Sequence, residues 1–530
     1  MMRLPPYIMA LTKVDIRPRR SMWFFALFSI FMVVASYVFV FALAGACVYL
    51  PYLIISNMES PDFRIILLFL FGIVIAGAML WSLVPRRDRF EAPGLLLDRE
   101  SQPRLFAELE SIAASLNEPM PREVYLIGDV NAFVADRGGI MGFGSRRIMG
   151  LGLPLMSILT VSQFRAVLAH EFAHYYGGDT SLGPWIYKTQ KAIVRIFENI
   201  GSVGKLARIA ILGAMYLVVA TLMKSYFIVF LRAMNFASRK REYRADELAC
   251  LVAGRKPLVE GLRLIHGAAL AWPSYWNTEI APVINDNALP AVGDGFSRFV
   301  AVPKIDQQIR KAVDRELQEG KTNPYDTHPP LRDRVAAAET FETGTVEEDA
   351  QPASSLIDRP DATELRFLEA ANPDLKPGSV QWVSWDKIVD QVTVPSWRKF
   401  TQEYASALDG VTAETLPAQI PNLLKVGSAM RDPKGMLLGP EQRTRRAAHF
   451  FGVALALALI DRGWKLDLAP GIFELRGPAG EPNIFPVIEE MLSGKMTAQN
   501  WVELCRKLGI ADVPLSPAGA QQPDLLTNAT

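Results

Sequence analysis

Two histidines that could bind a metal flank a glutamate in one short segment of the chain. The sequence HEFAH runs from His170 to His174, and a capping-box pattern that begins at Thr160 predicts that this segment lies in a helix. The two histidines then share one helix face, one turn apart, where both neutral imidazoles can reach a single Zn²⁺ at ~2.0–2.1 Å. Glu171 lies beside the first histidine and can accept a proton from water without binding the metal. The segment therefore predicts one catalytic zinc ion.

A catalytic zinc needs a third protein ligand and keeps a fourth position open. No H-x-x-G-x-x-H extension follows His174, so a downstream histidine or glutamate must supply the third ligand. Glu242 is a candidate because Asp246 follows it by four residues, on the same face of a predicted helix. In that arrangement Glu242 would bind the metal and Asp246 would accept the N–H of an imidazole ligand. A solvated, charged helix face remains the alternative for so arginine-rich a segment.

Three sequence blocks and one upstream tripeptide occur in order along the chain. They are Asn131-Ala132-Phe133, then HEFAH followed by Asp179, then Arg241-Glu242-Tyr243-Arg244-Ala245-Asp246, then Thr327-His328-Pro329-Pro330-Leu331-Arg332-Asp333-Arg334. Together they resemble the integral-membrane zinc endopeptidase family of HtpX and the CAAX prenyl proteases, which are gluzincins. The resemblance covers about residues 95 to 340.

The resemblance implies a role for each block. Glu242 becomes the third zinc ligand. Three residues are implied to surround the ligands without binding the metal: Asp179, Asp246 and Arg334. His328 is implied to stabilise the oxyanion of the tetrahedral intermediate, whereas a histidine before two prolines is by itself usually a turn residue. A peptide substrate is implied to lie along an edge strand near Asn131.

The composition excludes several other classes of protein. The chain has 530 residues, too many for one ordinary core, so several domains are expected. Its 56 Lys and Arg residues against 55 Asp and Glu residues give a net charge of +1, which argues against a protein that binds nucleic acid through bulk basic charge. Three cysteines lie far apart in the chain, which excludes a disulfide scaffold.

Two long uncharged segments predict transmembrane helices ahead of the catalytic region. Residues 22–55 and 65–84 carry no charged side chain, and both exceed the ~18 residues that indicate a membrane-spanning helix. Basic residues cluster before the first segment and after the second, whereas the connection between them holds a single arginine. The positive-inside rule therefore places the N-terminus and the catalytic domain in the cytoplasm. We expect a multi-pass protein of a bacterial inner membrane.

A third apolar segment lies within residues 185–236. His170, His174 and Glu242 must meet at one metal, so the chain between them crosses the membrane an even number of times or not at all. The first part of this segment carries several charged residues and is a poor span. A helical hairpin that lies on or dips into the bilayer is therefore expected, with a second full pair of spans as the alternative.

The expected architecture is mainly α, of the α+β kind. A helical zincin-type metallopeptidase domain with a small β-sheet follows the transmembrane hairpin, and a separate C-terminal α+β domain of unknown role completes the chain. The expected parts are a basic N-terminus over residues 1–21, the transmembrane hairpin over 22–84, the peptidase domain over 95–342, a linker over 343–363, the C-terminal domain over 364–513 and a disordered tail over 514–530.

These features predict a membrane-bound zinc endopeptidase that hydrolyses protein or peptide substrates, such as misfolded or membrane proteins. The lipid bilayer is an expected partner and nucleic acid is not. Two alternatives stay open. A maturation protease for one defined substrate, such as a lipidated C-terminus, would normally need a large multi-span chamber. A non-catalytic membrane scaffold would have no need of a base at Glu171.

Overall fold

A computed structural model gives the fold of this chain. It describes residues 20–60, 62–86, 90–139, 144–175, 183–204, 209–344, 346–372, 378–432, 437–477, 490–491 and 493–516. The chain divides into two compact units, the first made of residues 1–271 and 307–372 and the second of residues 272–306 and 373–530. Most of the basic N-terminus expected over residues 1–21 lies outside the described residues.

The described chain is mainly helical and contains small sheets. Its helices and strands, in chain order, are α1 (Arg20–Ser56), α2 (Phe63–Leu83), β1 (Leu95–Leu97), α3 (Pro103–Ser115), β2 (Glu123–Ile127), β3 (Ala132–Arg137), β4 (Arg146–Gly152), α4 (Leu153–Ile158), α5 (Val161–Ala173), α6 (Gly183–Gly204), α7 (Ala210–Ala253), α8 (Arg255–Tyr275), α9 (Ala281–Asn285), β5 (Ala288–Leu289), α10 (Val292–Ala301), α11 (Pro303–Glu319), α12 (Leu331–Ala338), α13 (Pro360–Ala371), β6 (Gln381–Trp382), α14 (Val394–Glu403), α15 (Leu423–Ala429), α16 (Pro440–Ile460), β7 (Lys465–Ala469), β8 (Ile472–Arg476) and α17 (Ala498–Lys507).

Four helices of the first unit pack into one apolar cluster. Ile75 of α2, Ile196 of α6 and Met223 of α7 are buried in it beside side chains of α1. Gly72 lets α2 approach α1 closely, because a Cβ at that position would lie 2.1 Å from the carbonyl oxygen of Cys47. Small residues at helix crossings are typical of membrane bundles.

The apolar helices agree with the transmembrane hairpin expected at the N-terminus. Helices α1, α2 and α7 are each long and apolar enough to cross a membrane. Helices α6 and α7 cover the third apolar segment, and buried side chains of both share one apolar cluster with side chains of α1 and α2.

A four-stranded sheet precedes the histidine-bearing helix α5 in the first unit. Its strand order is β1-β2-β4-β3, with β2 and β4 parallel and the other neighbours antiparallel. Phe164, Leu168 and Phe172 of α5 are fully buried, at the four-residue spacing that gives a helix one apolar face. Burial of this face fixes the rotation of α5 and so the direction of its histidines.

A segment that follows the peptidase region pairs with the start of α5. In this return segment (residues 346–358), the carbonyls of Gln351 and Asp349 accept hydrogen bonds from the backbone N–H groups of Val161 and Ser162 at 2.8 and 3.1 Å. These are first-turn donors with no partner inside the helix. The finding differs from the linker expected over residues 343–363, because a polar composition does not reveal backbone pairing with a distant helix end.

The second unit has its own apolar core around α16. Phe450, Phe451 and Leu459 of this helix are buried, as expected for an apolar helix too short to be a span. The parallel pair β5–β6 joins residues 272–306 to the chain beyond residue 378, a connection that the sequence did not reveal.

The disordered tail predicted from residue 514 is wrong for its first three residues. Leu515 is 2% exposed, and its N–H donates to the carbonyl of Val411 at 2.9 Å. Residues 514–516 therefore belong to the core of the second unit, because one buried leucine and a backbone pair anchor them. Residues 517–530 lie outside the described residues.

Candidate metal centre

Helix α5 carries the two histidines at its C-terminal end. The helix begins with the capping box that the sequence predicts: Thr160 Oγ1 accepts a hydrogen bond from the N–H of Gln163 at 3.2 Å, and Gln163 Oε1 accepts one from the N–H of Thr160 at 3.0 Å. His170 lies in the last turn and His174 is the C-cap residue. Their ring centroids are 4.7 Å apart, so the spacing of four residues brings the imidazoles side by side.

Glu242 of α7 brings its carboxylate to both imidazoles. Its Oε2 lies 3.3 Å from Nε2 of His170, and its Oε1 lies 3.4 Å from Nε2 of His174. Ligands at ~2.0–2.1 Å from a tetrahedral Zn²⁺ lie about 3.3 Å from one another, so these separations suit ligands of one ion. The Oε2 atom is buried and no donor among the described residues is aligned to hydrogen-bond with it, a cost that a cation would remove.

Asp246, one turn beyond Glu242, orients the first histidine. Its side chain is fully buried, and its Oδ1 lies 2.9 Å from Nδ1 of His170. Arg334 of α12 donates two hydrogen bonds to the same carboxylate, from Nη2 to Oδ1 at 2.6 Å and from Nε to Oδ2 at 2.9 Å. A proton on Nδ1 of His170 leaves Nε2 with the free lone pair that a metal requires.

Metal ligation requires both imidazoles to be neutral, and in that state the acidic groups of this cluster outnumber the basic group among them. The three carboxylates of Glu171, Glu242 and Asp246 then face the guanidinium of Arg334. Three negative charges and one positive charge leave an excess of two. Because a buried net charge is costly, this donor set suits a divalent cation.

Burial and neighbouring charges shift the pKa values of the cluster in opposite directions. Burial lowers the pKa of His170, but its contacts with Asp246 and Glu242 outweigh burial and raise that pKa to about 10. Burial, reinforced by the neighbouring charge of His170, lowers the pKa of His174 to about 3. Burial raises the pKa of Glu242, but the close imidazoles hold it well below its usual range. Opposed shifts of this kind are typical of functional sites.

Glu171 lies next to the imidazoles, and the direction of its pKa shift distinguishes it from Glu242. Its carboxylate can offer an oxygen within 4.8 Å of ligand atoms of both His170 and His174. Burial raises its pKa to about 7. A carboxyl group with a pKa near neutrality can accept a proton and give it back, which suits the base expected at this position.

His328 reaches the same carboxylate from a loop between α11 and α12. Its Nδ1 lies 3.0 Å from Oε2 of Glu242, and 58% of its side chain is exposed. The contact with Glu242 raises the pKa of His328. The imidazole therefore lies on the open side of the centre, where an incoming substrate can meet it.

Two further sequence predictions concern Asp179 and Asn131. Asp179 lies outside the described residues. Asn131 directly precedes β3, and β3 is an edge strand of the sheet with β4 as its neighbour. The carbonyl of Asn131 accepts the N–H of Gly152 at 2.9 Å, so this residue is tied to the strand beside β3.

Three polar residues of α7 contact the loop that carries His328, and the sequence analysis did not predict them. They are Arg232, Asn235 and Arg239. Their spacing places them on the helix face that also carries Glu242 and Asp246, which is the signal that could have found them. Their arginine-rich surroundings suggested only a solvated surface.

The fold and the site together define a mainly helical protein with apolar membrane-type helices and an HExxH centre completed by a distant glutamate. Residues 99–342 match the model of peptidase family M48. This region of the chain is therefore similar to that family.

Proteins that match part of this chain carry protease names. A protease HtpX homologue of Acaryochloris marina is 26% identical over 227 residues, which cover 41% of this chain and 73% of the relative. An HtpX homologue of Archaeoglobus fulgidus is 25% identical over 249 residues, or 45% of this chain and 68% of the relative. The protease HtpX of Stutzerimonas stutzeri is 26% identical over 254 residues, or 45% and 74%. These matches cover less than half of this chain.

Proposed function

We propose that this protein is a membrane-bound zinc endopeptidase that hydrolyses peptide bonds of protein substrates. The observation that carries the proposal is the convergence of His170, His174 and Glu242 at separations of 3.3 and 3.4 Å, which suit three ligands of one tetrahedral ion. The match of residues 99–342 to the model of peptidase family M48 supports the peptidase class. His170, His174 and Glu242 would hold the metal, and Asp246 with Arg334 would hold His170.

The residues around the ligands divide the chemistry of hydrolysis between them. Zinc, when bound, acts as a Lewis acid on the scissile carbonyl and lowers the pKa of water. Glu171 takes a proton from the attacking water as the water oxygen bonds to the carbonyl carbon. His328 donates to the developing oxyanion. Glu171 then returns the proton to the amine nitrogen as the carbon–nitrogen bond breaks.

We expect the substrate backbone to pair with strand β3. This strand has β4 on one side and lies at the edge of the sheet, so its outer N–H and C=O groups can bind an extended peptide. Main-chain pairing depends little on the substrate's side chains, and this suits an enzyme that acts on misfolded proteins of varied sequence.

We place the N-terminus and the catalytic domain in the cytoplasm of a bacterial inner membrane, with α1, α2 and the α6–α7 pair at the bilayer. The charge asymmetry around α1 and α2 supports this orientation. Asn57→Cys, between α1 and α2, should react with an impermeant thiol reagent from the periplasmic side, and Lys321→Cys should react only from the cytoplasmic side. The reverse pattern would refute the orientation.

The decisive test of the enzyme class is Glu171→Gln. This variant keeps the size of the side chain but removes the base, so we expect casein cleavage in detergent to fall by at least about 100-fold. A chelator should abolish cleavage by the wild type, and added zinc should restore it. Glu110→Gln on α3 serves as the matched control and should cleave as the wild type does. Unchanged cleavage by Glu171→Gln would rule out the proposal.

A further inference from the structure

The loop that carries His328 has little structure of its own. In this His328 loop (residues 320–330), no residue lies in a helix or strand, and residues 321–328 are exposed. Two short contacts stiffen it locally: the N–H of Tyr325 donates to Asn323 Oδ1, and the N–H of His328 donates to Asp326 Oδ1, both at 3.0 Å. Neither contact fixes the loop relative to the metal centre, so other residues must do so.

Helix α7 supplies those contacts through side chains that reach the loop backbone. Arg239 Nη1 donates to the carbonyl of Asp326 at 2.8 Å and lies 3.5 Å from the carbonyl of Asn323. Asn235 Nδ2 donates to the carbonyl of Pro324 at 3.3 Å. Side chains of one helix thus contact three carbonyls of the loop, two to five residues before His328.

A third contact holds the exposed tip of the loop. Arg232 Nη2 donates to the hydroxyl of Tyr325 at 2.9 Å, and its guanidinium lies 5.2 Å from the centre of the Tyr325 ring. Because both side chains are exposed, this contact is weaker than those of Asn235 and Arg239. The contact of Arg232 therefore adds to the contacts of Asn235 and Arg239 with the loop but contributes less than they do.

The contacting residues share a rigid element with the metal ligand. Asn235, Arg239 and Glu242 follow one another at spacings of four and three residues, which places them on one face of α7. Asn235 is 3% exposed, so its side chain is held in one position by packing. Helix α7 therefore holds the loop backbone through Asn235 and Arg239, in addition to the direct contact of His328 with Glu242 at 3.0 Å.

We propose that Asn235 and Arg239 are positioning residues that hold His328 where it can stabilise the oxyanion; the inference rests on the proposed peptidase function. A donor stabilises an oxyanion only over a narrow range of distances, and a displacement of 1 Å can cost on the order of 100-fold in rate. A loop without regular structure does not maintain such a distance unless it is clamped. Both contact the backbone of the His328 loop and would act through His328.

The test compares Arg239→Gln with a matched control on the same helix. Lys240→Gln removes a neighbouring exposed charge whose Nζ lies 5.8 Å from the rings of Phe236 and Tyr243 and should leave the kinetics unchanged. Arg239→Gln should lower kcat on a fluorogenic peptide by roughly 10- to 100-fold, with KM within about twofold and one zinc still bound per chain. Arg239→Lys keeps one donor and should recover part of kcat. Wild-type kcat in Arg239→Gln would overturn the inference.

A double variant separates positioning from mere loss of structure. His328→Ala alone should lower kcat by about 100-fold or more. In that background Arg239→Gln should change kcat by less than about twofold, because the residue it positions is gone. Equal losses from Arg239→Gln in both backgrounds, or loss of zinc, would show a general structural role and refute the inference.

The failure of this inference is distinguishable from failure of the proposed function. If His328→Ala kept wild-type kcat, Asn235 and Arg239 would have no catalytic residue to position, and the inference would be refuted. The peptidase assignment would stand as long as Glu171→Gln remained inactive. If Glu171→Gln were active, the proposed function itself would fall.

Discussion

The metal centre of the first unit and the core of the second unit are stabilised in different ways. The centre of the first unit is a buried polar network in which α5, α7 and α12 meet through His170, Glu242, Asp246 and Arg334. The core of the second unit is an apolar cluster around α16. A polar network depends on a few oriented contacts, whereas an apolar core depends on buried area. Substitutions in the first should therefore affect chemistry and stability together, and those in the second only stability.

The largest effect is expected where one partner leaves the buried network. Arg334→Ala leaves the carboxylate of Asp246 fully buried without its bidentate partner. Breaking a buried ion pair in this way costs about 3–5 kcal/mol. Hydrogen exchange of the full-length protein should show faster exchange in α5, α7 and α12, and zinc binding should weaken. Unchanged exchange in α12 would contradict a network centred on Asp246.

A smaller effect, confined to stability, is expected in the second unit. Leu459→Ala removes a fully buried side chain from the core around α16. The cavity and the lost burial should cost about 3 kcal/mol. Hydrogen exchange should rise in α16 and α17, while zinc stoichiometry stays at one per chain. Loss of zinc in this variant would show that the two units are not separable in this way.

The return segment offers a test of intermediate size within the first unit. The N–H of Asp349 donates to Ser162 Oγ at 2.7 Å, at the first turn of α5. Ser162→Ala removes that acceptor and should destabilise the start of α5 by about 1 kcal/mol. Exchange of the amides in residues 346–353 should increase, and casein cleavage should fall by less than about twofold. If exchange there stayed unchanged, the pairing would not stabilise the helix start.

The smallest effect is expected at an exposed ion pair on α16. Arg445 and Glu441 form an (i, i+4) pair at 2.9 Å, and more than three quarters of each side chain is exposed. Exposed pairs of this kind contribute below about 0.5 kcal/mol. Arg445→Ala should therefore leave exchange in α16 indistinguishable from the wild type. A large change would show that surface charge contributes to this core more than buried area implies.

Local patterns predicted much of the fold and most of the candidate site. The uncharged segments became α1 and α2, the four-residue spacing brought His170 and His174 together, and the capping box at Thr160 is present. These features depend on residues close in sequence, where helix geometry fixes their relation. The family resemblance, and not spacing alone, pointed to Glu242.

Contacts between segments distant in the chain could not be predicted from the sequence. The pairing of Gln351 with Val161 and the strand pair that brings residues 288–289 to 381–382 join backbone groups far apart in sequence. Backbone pairing leaves little trace in side-chain composition. The contacts of Asn235 and Arg239 with the His328 loop were missed for the same reason, because their targets are carbonyl groups.

Measuring zinc stoichiometry and affinity in Glu242→Gln tests the central claim most directly. The wild type should bind one zinc per chain, and Glu171→Gln should bind it equally well, because Glu171 is not a ligand. Zinc affinity should fall further in Glu242→Gln than the ~10–100-fold that is typical when a residue supporting a ligand is lost. Competition with a chelator measures this affinity. Zinc bound by Glu242→Gln with wild-type affinity would contradict the claim that this carboxylate completes the metal centre.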